Sequence, residues 1–464
     1  MTPDLSTPNL PKHDMPKEFT SLSPDVLVIG GGPSGSTISA LLAERGHDVV
    51  MLEKAHHPRF HIGESLLPMN MPLFDRLGVR KEVEAMGIPK HGAEFVSPWH
   101  EHTSHLFFAD AMDKSFPYAL QVRRSEFDEL LFRHAAKRGA RTFEGSRVTQ
   151  VEMNPGGGTH GQTNERALVK VLADDNTEIA WRPRFVIDAS GRDTVLSNKL
   201  GIKHRSKKHA SASLFGHFTQ AVRQPGRNAG NITVFWFDYG WFWFIPLADG
   251  TTSVGVVASP AYFKQRKTDP SAFLMETIAL APKLAARLKN AQMIEPATAT
   301  GNYSYHSECC RGDRFILLGD AFTFVDPMFS SGVFLAMNSA FEGATAVDHW
   351  LRGEKSSAEK AFRHFERIST KGPKMFTWFI YRITSPGIRH LFMYPRNAWR
   401  MKEAMLSLLA GDLFRNTPIG PRLIGFKFAY YLSCLTNFPA VFKLWLQRRR
   451  NLRESLKDEK FSAR

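Results

Sequence analysis

Three glycines near the start of the chain have the spacing that binds a dinucleotide. Gly30, Gly32 and Gly35 follow an apolar run and open an amphipathic stretch, which predicts a strand, a tight turn and a helix. The first glycine permits the bend, the second lets a pyrophosphate approach the backbone, and the third lets helix and strand pack closely. The N-terminus of the helix, where Ser34 lies, offers free N–H groups and a positive dipole end to the phosphates.

An acidic residue ends the second predicted strand of this unit. Glu53 stands where a carboxylate accepts ribose hydroxyl groups, and we assign the next residue, Lys54, to the same site. Strand, turn, helix, strand and acid occur in register, so the sequence predicts a dinucleotide site. Gly156, Gly158 and Gly161 repeat the glycine spacing, but polar residues surround them and no strand runs into them. We therefore interpret them as a flexible hairpin loop.

Composition indicates a globular protein. The 464 residues, 43% hydrophobic and 23% charged, predict two joined domains with an extension, after a disordered tail at 1–23 that lacks the apolar segment of a signal peptide. Three cysteines provide neither a disulfide framework nor zinc spacing, which favours a reducing cytoplasm. His100, His102 and His105 lack acidic or cysteine partners at ligand spacing, so we expect no metal site.

The positive charge is concentrated at the C-terminal end. Residues 351–464 contain 23 Lys and Arg against 8 Asp and Glu, so their balance of 23 − 8 = +15 equals that of the whole chain. Such a region attracts an acidic protein or an anionic membrane surface, whereas no nucleic-acid-binding motif is present. Residues 422–446, before a triple arginine at 448–450, either lie on a membrane or pack as a helical lid with a basic outer face. We prefer the lid.

A second motif identifies the nucleotide. Asp320, in the Gly319–Asp320 pair after a buried strand, makes the chain resemble the FAD-dependent monooxygenase superfamily with the p-hydroxybenzoate hydroxylase fold. The resemblance implies that Asp320 binds the ribitol of FAD, that Arg124 (in VRRSEFD) lies near the cofactor, and that Val148 lies by the adenine. It implies FAD rather than NAD. No second nucleotide fingerprint is present, so we expect a separate flavin reductase to supply reduced FAD.

The resemblance also gives the expected architecture, an α/β fold in which a Rossmann-like FAD-binding domain is interleaved with a mixed β-sheet substrate domain. Dense period-2 alternation of aromatic residues over 214–257 suits the broad sheet. We expect the FAD-binding domain at about 24–100, 120–200 and 300–350. The sheet domain is expected at about 100–120 and 201–300, and a basic helical lid at 351–464.

The hexamer WFWFIP at 241–246 narrows the family. It matches the W-x-W-x-I-P motif typical of flavin-dependent halogenases, and period-2 spacing places Trp241, Trp243 and Ile245 on one face of a strand. An ordinary core strand explains aromatic residues but not this ordered hexamer ending in Pro246. The two tryptophans are therefore candidate members of the catalytic site.

Lys90, in KHGAEF, occupies the position of the indispensable lysine of those halogenases. A lysine at the start of a strand is usually solvated, but one whose pKa is lowered by burial acts as an acid or as a nucleophilic amine. The resemblance therefore implies that Lys90 is catalytic.

DPMFSSGV at 326–333 resembles a stretch of phenol and pyrrole halogenases in which the N–H groups matching Ser331 and Gly332 hold halide beside the flavin. Gly332 thus belongs to both the halide and the cofactor sites. Phe329 stands where tryptophan halogenases have a glutamate, so we do not expect free tryptophan as substrate. The base that takes the proton of the ring is left unassigned.

The resemblance implies chlorination or bromination of a phenol- or pyrrole-like ring. In the mechanism that the resemblance implies, a flavin C4a-hydroperoxide oxidises halide to hypohalous acid, and Lys90 passes the halogen to the ring. The basic C-terminal region suggests a substrate tethered to an acidic acyl carrier protein, with the arginines at 448–450 steering it, or peripheral membrane contact. Two alternatives remain. One is a non-halogenating monooxygenase or geranylgeranyl-reductase-like enzyme, and the other is a non-catalytic FAD-binding scaffold.

Overall fold

The computed structural model describes residues 22–153, 166–206, 210–301, 304–324 and 326–462, with side chains described as far as residue 451. The glycine-rich loop predicted around residue 158 lies outside the described residues, as does the predicted tail apart from its last two positions.

A six-stranded sheet, here called the parallel sheet, forms around the first glycine unit. Its strands are parallel except for one antiparallel edge pair, and all four residues of its central strand are buried. Each long connection crosses over the sheet, as parallel strands require. The order across the sheet is Arg311–Gly312, Phe315–Leu317, Phe185–Asp188, Val26–Ile29, Val49–Leu52 and Arg141–Phe143.

A second sheet, here called the large sheet, is antiparallel except for one parallel pair, Gly92–Val96 beside Ile232–Phe237. The first of these strands precedes the boundary that the sequence predicts near residue 100. The path of the sheet runs Gln292–Met293, Ala212–Thr219, Thr252–Ala258, Gly240–Pro246, Ile232–Phe237, Gly92–Val96 and Thr103–Phe107, with Thr298–Thr300 paired to the second strand. The α/β fold with a mixed sheet is therefore confirmed.

Shorter strands form three small sheets. They are Ser146–Glu152 with Leu168–Ala173 and Glu178–Trp181; Lys203–Arg205 with Tyr305–Ser307 and Thr323–Phe324; and Ile88–Lys90 with Ala119–Gln121.

Helices cover both sheets and form the C-terminal part of the described chain. Pro270–Ala279 and Pro282–Arg287 are separate helices, because Pro282 begins a new helix after a turn. The α-helices are Pro33–Glu44, Met71–Leu77, Arg80–Met86, Arg124–Lys137, Val195–Lys199, Pro260–Lys264, Pro270–Ala279, Pro282–Arg287, Gly332–Leu351, Lys355–Ile380, Pro386–Met393, Met401–Leu409, Ile419–Thr436 and Phe438–Ser462.

Alternation along the large sheet divides its side chains between two cores. Trp241 and Trp243 pack in the core shared with the parallel sheet and the C-terminal helices, whereas Phe242 and Phe244 pack against the helices on the other face. Because successive side chains of a strand point to opposite faces, the hexamer alone places its tryptophans between the two sheets. Among the helices that the structure describes, none is both long enough and apolar enough to cross a bilayer.

Candidate active site

The glycine turn forms a cradle with space for phosphate. Gly30 has φ +102°, and a Cβ there would lie 2.5 Å from the carbonyl oxygen of Ala189. A Cβ on Gly35 would lie 1.9 Å from the carbonyl oxygen of Gly30, so helix and strand touch at this point. A Cβ on Gly32 would meet only the Nη2 atom of Arg59, at 3.6 Å. The three positions therefore suit the bend, the close packing and the open approach that the spacing predicts.

Glu53 lies beside this turn. Its Oε2 accepts a hydrogen bond from the N–H of Gly31 at 2.8 Å, and its Oε1 accepts one from the N–H of Ala55 at 3.0 Å. Oε2 also accepts from the Nη2 of Arg59 at 3.4 Å, so Oε1 is the oxygen that keeps a lone pair for a ribose hydroxyl. Lys54 forms an ion pair with Asp193 at the rim, and Val148 lies on the same wall of the cavity.

Arg124 opens the helix Arg124–Lys137 and holds the loop before the site. Its guanidinium donates two hydrogen bonds to Asp128 and one to the carbonyl oxygen of Ile62. Burial alone would raise the pKa of Asp128, but the guanidinium of Arg124 keeps that pKa below its usual value. The charge of Arg124 on the cavity wall is therefore balanced by the carboxylate of Asp128.

Asp320 follows the strand Phe315–Leu317 in a single 3₁₀ turn. Burial raises the pKa of this carboxyl to about 6, partly offset by Arg192 and Arg124. A carboxyl in this state favours partners that donate hydrogen bonds, such as the hydroxyl groups of a ribitol chain.

Residues 326–333, which the sequence assigns to halide binding, lead into a long helix. Ser331 is the N-cap of helix Gly332–Leu351, and the carboxylate of Asp326 accepts a hydrogen bond from the N–H of Met328 just before it. A Cβ on Gly332 would meet nothing within 4 Å. The first N–H groups of a helix have no partner within the helix, and together with the dipole they favour a bound anion.

One cavity of about 920 Å³ joins these features. This volume lies within the range of typical ligand sites, roughly 300–1,000 Å³. Of the residues that the sequence assigns to the site, those on its wall are Gly30, Gly32, Ser34, Glu53, Lys54, Arg124, Val148, Trp241, Trp243, Asp320, Ser331 and Gly332. Gly35 supports the turn from behind.

Lys90 lies immediately behind the cavity wall. It is only 2% exposed, and its Nζ donates to the Oγ of Ser65 at 2.8 Å and to the carbonyl oxygen of Leu66 at 3.0 Å. Ser65 itself lines the cavity. Burial lowers the pKa of Lys90 to about 7, so protonated and neutral amine coexist near neutral pH. The amine reaches the cavity through Ser65 and is not solvated.

Trp241 and Trp243 form one wall of the cavity, here called the tryptophan wall. Their ring centroids lie 6.1 Å apart. The Nε1 of Trp243 donates to the Oγ of Ser253 on the adjacent strand at 3.1 Å. Gly255 makes room for that ring, since a Cβ there would lie 2.2 Å from it. The sequence did not predict the roles of Ser253 and Gly255, because both residues contact Trp243 only through the pairing of adjacent strands.

Sequence reasoning missed a buried carboxylate–imidazole pair. Oε1 of Glu64 lies 2.7 Å from Nε2 of His217, and both side chains are buried. Glu64 lines the cavity, and its Oε2 has no hydrogen-bond partner among the described residues. Its sequence neighbour Ser65 holds Lys90. The two members of the pair are 153 positions apart, so no local pattern could have joined them.

A second cavity of about 570 Å³ adjoins the first and shares Trp241, Asp326 and Ile380 with it. Arg389 lies on its wall, with its guanidinium 3.5 Å from the ring centre of Trp99. Burial lowers the pKa of Arg389 to about 10, with Asp238 acting in the opposite direction. This second cavity was not predicted.

Arg448 does not suit the steering role that the sequence suggests. It donates to the carbonyl oxygen of Tyr381 at 2.6 Å and to the hydroxyl of Thr384, and it is half-buried on the wall of the second cavity. Its charge therefore stabilises the packing of the last helix, whereas Arg449 and Arg450 are exposed.

Comparison with known proteins adds independent information. Residues 23–362 match the FAD binding domain family. The chain is 33% identical over 382 residues to the flavin-dependent halogenase armH2 of Armillaria mellea, covering 77% of this chain and 71% of that protein. It is 29% identical over 420 residues to a 1H-pyrrole-2-carbonyl-(peptidyl-carrier protein) chlorinase of Pseudomonas fluorescens, covering 84% and 89%.

Two solved structures share the fold. A flavoprotein/dehydrogenase from Cytophaga hutchinsonii superposes with a TM-score of 0.80 at 28% identity, covering 89% of this chain and 100% of that one. The myxobacterial chondrochloren halogenase CndH superposes with a TM-score of 0.72 at 30% identity, covering 90% and 97%.

Proposed function

The chain belongs to the flavin-dependent halogenases, and from this membership we propose that Lys90 delivers chlorine or bromine to an electron-rich aromatic ring beside the tryptophan wall. The observation that carries the proposal is the position of Lys90, a buried amine that meets the cavity only through Ser65.

The cavity has the groups that FAD requires. The glycine turn and the helix N-terminus would hold the pyrophosphate, Glu53 the adenosine ribose, and Asp320 the ribitol. When bound, reduced by a separate flavin reductase and exposed to oxygen, FAD supplies the oxidising equivalent that turns halide into hypohalous acid. The N–H groups of Ser331 and Gly332 would keep halide at that end of the cavity.

The remaining chemistry belongs to protein side chains. The neutral amine of Lys90 bonds the halogen of hypohalous acid with loss of water, and the ring then takes the halogen while the N–X electron pair returns to nitrogen. The indoles of Trp241 and Trp243 exclude water and separate the ring from the flavin end.

The proton lost by the ring needs an acceptor, because Phe329 replaces the glutamate of tryptophan halogenases. Glu64 is suited to this role because it lines the cavity and its buried Oε2 has no hydrogen-bond partner among the described residues, with His217 orienting the carboxylate. The proton passes through Glu64 to the amine of Lys90, which completes the balance of the substitution. Lys90 donates a hydrogen bond to the Oγ of Ser65, the residue that follows Glu64 in the chain.

A carrier-bound acyl group is the substrate form that the second cavity favours. Arg389 would bind the phosphodiester of a carrier arm, while the shared wall at Trp241 leads the acyl ring to the first cavity. A relative named for a pyrrole on a peptidyl carrier protein supports this form.

Mass spectrometry tests the function. The purified protein is supplied with FAD, a flavin reductase, oxygen and either chloride or bromide, and is offered phenols, pyrroles and indoles as free acids and as carrier thioesters. We expect product masses that change with the halide. Oxygenated or reduced products that do not depend on halide would instead favour a monooxygenase or reductase, and no turnover under any condition would favour a binding scaffold.

A further inference from the structure

The last two helices expose an unusual amount of apolar side chain. In Ile419–Thr436 and in Phe438–Ser462 as far as residue 451, where the described side chains end, nine large apolar residues are between 44% and 73% exposed. Large apolar side chains exposed together mark interaction surfaces in soluble proteins. We call this set the apolar face, and its members are Ile424, Phe428, Tyr431, Leu432, Leu435, Phe438, Phe442, Trp445 and Leu446.

The apolar face points away from the protein. On the last helix, Leu444 and Arg448 line the second cavity, whereas Phe438, Phe442 and Trp445 are exposed and stack on one another with ring centroids 5.8 Å apart. The helix therefore covers the protein with one side and presents aromatic rings with the other. Covering the cavity, which is the role of a lid, does not explain the exposed side.

Charge indicates what covers this face. Between residues 419 and 451 there are six basic residues and no Asp or Glu, the six being Arg422, Lys427, Lys443, Arg448, Arg449 and Arg450. Arg449 lies 4.6 Å from the ring centre of Trp445, so a cation and the apolar face lie at the same surface. A second copy of the chain would bring the same positive charges against it, which disfavours a symmetric pair.

Exposed Trp, Phe and Leu beside Lys and Arg are typical of helices that lie in the interface of an anionic bilayer. The rings enter the boundary between headgroups and acyl chains, and the cations contact lipid phosphates. We propose that the apolar face docks the protein on an anionic lipid surface, with the helices parallel to it.

Vesicle flotation with the full chain tests this proposal. We expect the protein to float with phosphatidylcholine vesicles containing phosphatidylglycerol, and much less with phosphatidylcholine alone. The triple variant Phe438→Ser, Phe442→Ser, Trp445→Ser should lower the partition coefficient at least tenfold, since each ring loses roughly the transfer energy of a buried side chain. Because all three are exposed, the variant should fold, and its bound FAD reports that it has.

Charge variants and matched controls complete the test. Arg449→Gln should weaken binding to anionic vesicles roughly fivefold, which is the effect of about one basic residue near such a surface. Val222→Ser with Leu280→Ser removes equally exposed apolar side chains elsewhere, and Lys360→Gln with Arg363→Gln removes charge elsewhere. Both controls should bind as the wild type does.

Three results would overturn the proposal. The wild type could stay in solution with anionic vesicles, the triple variant could float as well as the wild type, or an acidic carrier protein could bind the face where vesicles do not. The last result would identify a protein partner instead. None of these measurements depends on halogenation, so their failure is distinct from failure of the proposed function.

Discussion

At the scale of single residues, the role proposed for Lys90 gives the first prediction. Lys90→Met keeps the length and burial of the side chain but removes the amine, so halogenation should fall roughly 10²–10⁴-fold while flavin binding and reoxidation persist. Product mass and flavin absorbance measure the two separately. Lys360→Met, at an exposed position, is the control. Halogenation within tenfold of wild type would refute a required amine.

The pKa of Lys90 predicts the direction of the pH dependence. Burial lowers that pKa to about 7, and the neutral amine is the form that bonds halogen. The halogenation rate should therefore rise about tenfold per pH unit below 7 and become level above it. A rate that instead falls above pH 7 would indicate that the protonated amine acts as an acid, which is the alternative that the sequence leaves open.

The same shift affects stability. The unfolded chain keeps its lysine protonated up to its ordinary value of 10.5, so between pH 7 and that value the unfolded state binds more protons than the folded state. Stability contributed by this group rises with pH across the window and is lowest below 7. Lys90→Met should therefore raise, not lower, the midpoint of thermal unfolding at neutral pH.

Glu64 gives a prediction that separates proton transfer from structure. Glu64→Gln keeps the hydrogen bond to His217 but cannot accept a proton, so halogenation should fall roughly a hundredfold. Loss of the ring proton should then limit the rate, and a ring-deuterated substrate should react more slowly than the protiated one. The wild type and the surface control Glu44→Gln should show little isotope effect. An unchanged rate in Glu64→Gln would assign the proton to another group.

At the scale of elements, the glycine turn allows a matched pair of substitutions. The side chain that Gly32→Val introduces would lie in open space near Arg59 and would occupy the place of the pyrophosphate. The variant should therefore fold but bind no flavin, and it should lack the yellow colour. Gly35→Val would meet the carbonyl oxygen of Gly30 at the helix–strand contact and should lower the unfolding temperature strongly. Absorbance and circular dichroism distinguish the two outcomes. Full flavin occupancy in Gly32→Val would show that the pyrophosphate does not bind at this turn.

Elements with a local pattern were predictable, and contacts between distant elements were not. The unit from Val26 to Leu52 and the tryptophan face follow from spacing and alternation, because each is decided by adjacent residues. The Glu64–His217 pair and the space that Gly255 gives Trp243 depend on which strands meet in the folded protein. The sequence predicted that Lys90 matches the indispensable lysine of the halogenases. Its burial could not be predicted, because it depends on the packing of Ser65 and Leu66 around the amine.

At the scale of the whole molecule, the C-terminal charge predicted from composition is divided among different tasks. Arg448 holds the last helix to the turn around Tyr381, Arg389 faces the second cavity, and Arg449 lies at the exposed surface. Composition shows that this region is positively charged, but it could not predict which partner each cation contacts. Each task therefore needs its own test.

The carrier proposal is tested by comparing three forms of one aromatic acid: free, as a small thioester, and on its acyl carrier protein. If Arg389 binds the phosphodiester of the arm, the carrier-bound form should react fastest, and Arg389→Gln should raise its KM roughly tenfold or more while leaving the small thioester unaffected. Arg363→Gln, on the outer side of helix Lys355–Ile380, should change neither. Salt alone is a poor test, because screening at about 0.1 M weakens contacts with carriers and with membranes alike. Equal turnover of all three forms would show that the second cavity does not bind a carrier arm and that the free aromatic acid is a substrate.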